Sequence, residues 1–155
     1  MGFFDDFENA LEKYPETNVK LSINSVAVQT GTSGAVNVNE VWKFKILVDN
    51  DGPLNLTNLA LRVEGQNGAQ VSTSSAGPFG PSVTTSGSGL LAISGHSAKS
   101  SQLFYFKAPN VAKPAGTVLA KVRISAYDAN LDHILVNHSL GTSTPEGSHE
   151  AQVFP

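Results

Sequence analysis

The 155-residue sequence contains no cysteine, which excludes disulfides, a thiolate nucleophile and any cysteine-held metal centre. Charge is also scarce. Only 15% of residues are Asp, Glu, Lys or Arg, against about 25% in ordinary globular domains. Basic residues are not in excess, since ten Lys and Arg stand against thirteen Asp and Glu, a formal net charge of −3. With a pI near 5.7, that balance argues against a nucleic-acid binder that works by neutralising phosphates. A run of about 20 apolar residues, the length that spans a bilayer as a helix, is nowhere reached. The start, Met1-Gly2-Phe3-Phe4-Asp5-Asp6-Phe7-Glu8, is acidic where a secretory signal is basic, and no apolar stretch follows it. The expectation is a protein that is cytoplasmic or exported without a cleaved N-terminal signal. At this length one folded domain is expected.

What is present begins with aromatic residues. Phe3, Phe7, Leu11 and Tyr14 recur at spacings of four, four and three, with Phe4 and Ala10 flanking that face. The spacing predicts an amphipathic helix over 3–14. Asp5, Asp6 and Glu8 suit its N-terminal end, Lys13 its C-terminal end, and Pro15 stops it. So short a helix is marginal alone in water, so its aromatic face needs a surface to cover: its own domain, another subunit or a membrane. Its acidic polar face counts against anionic lipid.

From residue 18 the period changes to two. Val19, Leu21 and Ile23 alternate with polar residues, and Val26 and Val28 continue out of phase, which predicts a bulge. Trp42, Phe44, Ile46 and Val48 against Lys43 and Lys45 read as a core strand with one wet face. Residues 49–53, Asp-Asn-Asp-Gly-Pro, form a dense turn signal, and Leu59, Leu61 and Val63 follow as a strand. Phe104 and Phe106 alternate with Leu103 and Tyr105, and Val118, Ala120, Val122, Ile124 and Ala126 mark the longest strand. Residues 131–140 read as its hairpin partner across Asp128-Ala129-Asn130, and a short strand is expected near Gln152-Val153-Phe154. These elements predict an all-β fold: an immunoglobulin-like antiparallel β-sandwich of about 7–9 strands with one N-terminal helix. The division expected is a helix and linker over 1–17 and a sandwich over 18–155.

Two stretches carry no Asp, Glu, Lys or Arg: the run between Lys20 and Glu40, and the run between Glu64 and Lys99. The second is rich in Ser, Thr and Gly, with short strands expected around Val71, Val83 and Leu90-Leu91-Ala92-Ile93, and Phe79 near the tip of a Gly-Pro turn. It reads either as a solvated loop with an edge hairpin or as a surface that stacks on other subunits without desolvating charge. A Ser/Thr-rich membrane-barrel hairpin is a lesser reading, because its alternation is poor.

The segment Trp42-Lys43-Phe44-Lys45-Ile46-Leu47-Val48-Asp49-Asn50-Asp51-Gly52, followed by Leu56-Thr57-Asn58-Leu59-Ala60-Leu61-Arg62-Val63, resembles bacterial and archaeal immunoglobulin-like domains related to cell adhesion. Ile93-Ser94-Gly95-His96-Ser97-Ala98-Lys99 before Leu103-Phe104-Tyr105-Phe106-Lys107-Ala108-Pro109, and Ala115-Gly116-Thr117-Val118-Leu119-Ala120, are similar to the same family. The resemblance covers residues 18–140 and implies a sandwich with a binding or spacer role rather than a reaction.

Motifs for chemistry do not hold. Gly95-His96-Ser97-Ala98-Lys99 approaches the hydrolase elbow G-x-S-x-G, but lysine replaces the last glycine and no helix follows. Gly87-Ser88-Gly89-Leu90-Leu91-Ala92 opens a strand where a dinucleotide fingerprint opens a helix. His133 and His138 fall on opposite faces of a strand, and His96 and His149 stand apart, so all four read as surface residues. Asp49 and Asp51 in one loop, with Asp128, Asn130 and Asp132 in another at the same end of a sandwich, are candidate calcium ligands. The stretch is not an EF-hand, since His133 replaces the glycine and Ser139 the glutamate; turn-forming Asp and Asn explain it without metal. No other cofactor is expected.

The function expected is therefore a non-enzymatic structural or interaction protein, binding protein and self-associating. Phe3, Phe4, Phe7, Leu11, Tyr14 and Phe79 are the contact residues and no nucleic acid is involved. One alternative is a small membrane-active, pore-forming toxin-like protein that uses the helix without spanning as one. Another is a carbohydrate-binding module, which needs Trp42 and Tyr105 exposed while the patterning buries Trp42.

Overall fold

The computed structural model describes residues 20–28, 34–131, 134–138 and 145–155. The helix expected over 3–14 lies outside them, and no helix among them is long and apolar enough to cross a membrane. Twelve strands and one 3-10 turn make up the described elements. They are β1 (Leu21–Val28), β2 (Ala35–Asn37), β3 (Val41–Asn50), β4 (Asn55–Gly65), β5 (Gln70–Ser72) and β6 (Ser82–Thr84). After the turn Gly87–Gly89 come β7 (Leu91–Ile93), β8 (Ser97–Ser100), β9 (Phe104–Lys107), β10 (Lys113–Leu131), β11 (Ile134–His138) and β12 (Glu146–Phe154).

Period-two alternation builds two sheets that face each other. The first runs β1-β3-β9-β5 with β8 also on β3; the second runs β2-β12-β10-β4-β6 with β11 on β10 and β7 on β4. All pairs are antiparallel except β2 on β12. The strand number exceeds the expected 7–9 because three lanes are each shared by two strands laid end to end. One flank of β3 takes β9 at residues 41–44 and β8 at 47–50. One flank of β4 takes β7 at 56–59 and β6 at 62–64. One flank of β10 takes β12 and then β11.

At two of these handovers a buried hydroxyl completes the ladder. Thr85 donates its N–H to the Leu61 carbonyl (2.9 Å), and its Oγ1 accepts the Leu61 N–H (2.9 Å). Ser101 does the same at Ile46, with 2.8 Å from its N–H and 2.9 Å to its Oγ. A strand that ends there would leave Leu61 or Ile46 with an unpaired backbone group in the core.

The core holds Trp42, Phe44, Ile46 and Val48 of β3, Leu59, Leu61 and Val63 of β4, Phe104 and Phe106 of β9, and Val122 and Ile124 of β10. The expected bulge in β1 is a register shift between Ile23 and Ser25. A second shift between Val118 and Ala120 of β10 brings Leu119 fully into the core, where simple alternation placed Val118. Asp128-Ala129-Asn130, expected as a turn, instead continues β10, paired with β4 at 55–57 and with β11 at 135–137.

The tail strand is longer than expected because two of its inward positions carry no ordinary apolar side chain. Gly147 lies under Ile23, whose Cγ2 stands 2.6 Å from where a Cβ would be. His149 sits between Trp42 and Phe106, with ring centroids 6.0 and 5.9 Å away. Its Nε2 and the Trp42 Nε1 are buried without a hydrogen-bond partner among the described residues, which corrects the expectation of a surface histidine. Burial holds the His149 pKa below the ordinary 6.5, and Glu150 opposes the shift. A group whose folded pKa is depressed binds fewer protons folded than unfolded, so stability falls as pH drops through the ordinary value toward the folded one. The urea midpoint is expected to decline below about pH 6.5, and His149→Phe to flatten that decline. An equal decline in both proteins would show that another group titrates. Glu64, held below its ordinary 4.5 by the Arg62 hydrogen bond, loses its contribution only at lower pH.

Candidate association surface

The charge-free run between Glu64 and Lys99 contributes short paired strands as well as connecting turns. It leaves β4 through a turn in which Asn67 (φ 56°) and Gly68 (φ 89°) adopt the left-handed conformation. The Asn67 amide ties that turn to the Val118 carbonyl (2.7 Å). The run then supplies β5 to one sheet and β6 and β7 to the other. The strands around Val71 and Val83 are therefore not a hairpin. They join the sheets at this edge through reciprocal bonds between Val71 and Gly80, 2.8 and 3.0 Å.

Beyond that junction the edge opens into a groove of about 450 Å³, lined by Thr73, Thr84, Thr85, Ser86, Ser88, Gly89, Gln102 and Leu103. At Gly89 the Gln102 side chain comes close, its Oε1 3.0 Å from where a Cβ would stand. Thr73, Thr84, Ser86, Ser88 and Gln102 are exposed. Apart from Gly89 and Leu103 the lining side chains are hydroxyls and an amide, none ionisable, so the groove offers donors and acceptors together and no side-chain charge of either sign.

The expected contact residue Phe79 is half-buried, with its ring edge against Gly77. Phe3, Phe4, Phe7, Leu11 and Tyr14 lie outside the described residues. Trp42 is 2% exposed and packs edge-on against Phe106, so a sugar-stacking platform made of Trp42 and Tyr105 does not form.

Of the calcium candidates, Asp49 lies on β3 and accepts a hydrogen bond from the Asn24 amide (3.0 Å), and Asp51 follows the strand. Asp128 and Asn130 belong to β10, opposite Thr57 and Asn55, which places their backbone at the same end as Asp51. Asp132 lies outside the described residues. Among the described residues no three His, Cys, Asp or Glu side chains group to hold a metal.

Asn50 organises that end. Its buried amide donates to the carbonyls of Leu54 (2.7 Å) and Ser94 (3.1 Å), and its Oδ1 accepts the Gly52 N–H (3.2 Å). His96 N–H reaches the Gly52 carbonyl, and Gly95 N–H the Asn55 side chain. The near-elbow serine, Ser97, donates to the Ser94 carbonyl (2.6 Å) and so closes a turn.

No protein-family model and no curated relative matches the chain. Among solved structures it is similar to the CARDB domain of a Pyrococcus furiosus protein, determined in complex with di-metal ions. That match has 14% identity and a TM-score of 0.45, covering 88% of this chain and 90% of that one. It is also similar to the sporulation control protein Spo0M of Bacillus subtilis, with 12% identity and a TM-score of 0.43, covering 89% of this chain and 50% of that one. A third is the seventh ScaB type I cohesin of Pseudobacteroides cellulosolvens, with 10% identity and a TM-score of 0.38, covering 84% and 91%. CARDB denotes the cell-adhesion-related type of domain that the strand pattern resembles.

Proposed function

We propose that the chain is a non-enzymatic association domain, and that its charge-free edge pairs with the same edge of a second copy. The observation that carries this reading is the run between Glu64 and Lys99. It forms three strands, closes one side of the sandwich and lines the groove without one Asp, Glu, Lys or Arg. In a two-fold interface the same patch meets itself, so any charge near the axis faces its own kind. A neutral patch of hydroxyls and amides avoids that repulsion and buries no charge. Strands β3, β4, β9, β10 and β12 carry lysines, arginines or glutamates, so their faces are less suited to self-pairing than this edge.

Light scattering across a concentration series tests it. The mass is expected to rise from 16.3 kDa toward twice that value. Thr84→Lys with Ser88→Lys, which puts like charges into the groove, is expected to hold the protein at the monomer mass with its melting temperature unchanged. A wild-type chain that stays monomeric at every concentration, or a lysine variant that associates equally well, overturns the reading.

A further inference from the structure

The outward face of the first sheet carries a charge pattern that the association edge lacks. Val41, Lys43, Lys45, Leu47 and Asp49 alternate with the core residues of β3 and so point away from it. Register places Tyr105 of β9 opposite Lys43, and Lys107 opposite Val41. Three lysines thus surround a half-buried tyrosine, with Leu47 half-buried beside them and Val41 exposed at 39%. The carboxylates nearby are engaged: Asp49, at the far end, accepts from Asn24, and Glu40 accepts the Asn37 N–H (3.0 Å). Among the described residues Lys45 and Lys107 form no ion pair. The second sheet differs, because there Glu64 joins both Arg62 (2.8 Å) and Arg123 (3.4 Å).

Residues 1–17 have the complementary composition. They hold Asp5, Asp6, Glu8, Glu12 and Glu16 against Lys13 alone, a side-chain charge of −4. The whole chain carries −3, which leaves +1 on residues 18–155. The same segment concentrates Phe3, Phe4, Phe7, Leu11 and Tyr14, which need apolar cover of the kind that Tyr105, Leu47, Val41 and the lysine stems provide. Connection allows the contact within one molecule. The Lys20 carbonyl accepts the Asp51 N–H (3.0 Å), so the chain enters the sheet beside the end of β3. Lys45 and Lys43 lie about 17 and 23 Å along that strand at 3.3 Å per residue. The residues ahead of Lys20 span well beyond that distance when extended, and the tether sets a high effective concentration.

We propose that the acidic, aromatic segment 1–17 docks on the Lys43–Lys45–Lys107 face of its own chain. The surface is thereby covered in cis, on the side of the sandwich away from the second sheet and independently of the association edge.

The absence of native cysteine makes the test direct. A nitroxide on Asn9→Cys, in the full chain and at a concentration where light scattering reports the monomer, is expected to attenuate the backbone amide signals of residues 41–47 and 105–107. It should leave the outer strands of the second sheet untouched. Lys45→Glu with Lys107→Glu is expected to abolish that attenuation while the remaining amide shifts stay in place, and high salt to weaken it. Attenuation elsewhere, none at all, or attenuation that survives the double charge reversal overturns the proposal. So does attenuation in a mixture where the nitroxide and the observed nucleus sit on different molecules, since that places the segment on a second copy.

Discussion

Asn50→Asp is expected to cost about 3–5 kcal/mol of folding stability at neutral pH, since each orphaned buried acceptor costs about 1–3 kcal/mol and a buried charge adds to that. The substitution keeps shape and the acceptor for the Gly52 N–H, but removes the donor that serves the Leu54 and Ser94 carbonyls. It also places a carboxylate where 1% of the residue is exposed. The penalty has a pH signature. A carboxyl that burial pushes above its unfolded pKa binds more protons folded than unfolded, so stability is lost as pH rises through the folded value and recovered as it falls. The urea midpoint of the variant should therefore approach that of the parent in acid, with an unchanged slope. Asn55→Asp is the control. Among the described residues its exposed side chain accepts from the Gly95 N–H, an acceptor role that aspartate keeps, and it is expected to stay within about 0.5 kcal/mol of the parent. Equal losses in the two variants would show that Asn50 does not tie the β3–β4 connection to the β7–β8 turn.

Thr85→Val is expected to destabilise by about 2 kcal/mol, within the range for leaving one buried backbone N–H unsatisfied. Valine fills the same volume and keeps the backbone bond from residue 85 to Leu61, so the loss isolates the hydroxyl that accepts the Leu61 N–H. Thr84→Val, one residue earlier and exposed on β6, is expected to change stability by less than about 0.5 kcal/mol. Chemical denaturation of both variants checks the difference. A Thr85→Val protein as stable as the parent would mean that strand exchange along β4 does not depend on the hydroxyl.

These two positions mark how far the sequence could be read. Alternation located β3, β4, β9 and most of β10, because their inward residues are large and apolar and their outward residues carry charge. The Asn50-Asp51-Gly52 turn was legible from its residue types, which favour side-chain bonds to the local backbone. Lane sharing was not legible, since a strand's partner depends on which flank is open and no local pattern encodes that. Thr85 and Ser101 consequently read as two more polar residues in a Ser/Thr-rich chain, although each completes a ladder bond inside the core. β12 was read too short for a related reason. Its inward Gly147 is matched to Ile23 from the facing sheet, and His149 scores as polar although its ring packs among Trp42 and Phe106. Asp128 and Asn130 read as turn residues, yet β4 and β11 hold them in the middle of a three-strand ladder.

The candidate surface was legible as an absence of charge, and its shape was not. The run between Glu64 and Lys99 is open in the sequence to a solvated loop with an edge hairpin, an interface, or as a lesser reading a membrane-barrel hairpin, because neutral polar residues suit each. Pairing places its short strands in the sheets: β5 lies on β9, β6 and β7 lie on β4, and Val71 joins Gly80 across the edge. The low overall charge of the chain is concentrated in two runs, and the second builds an edge whose groove residues Thr84, Ser86 and Ser88 stand exposed.

Hydrogen exchange measured at low and high protein concentration tests that assignment most directly. The account predicts that amides of residues 73–75, 82–90 and 102–103 gain protection as concentration rises, while those of β10 and β12 keep the same rates. Protection that rises on the outer faces of the sheets and leaves the groove unchanged would contradict it.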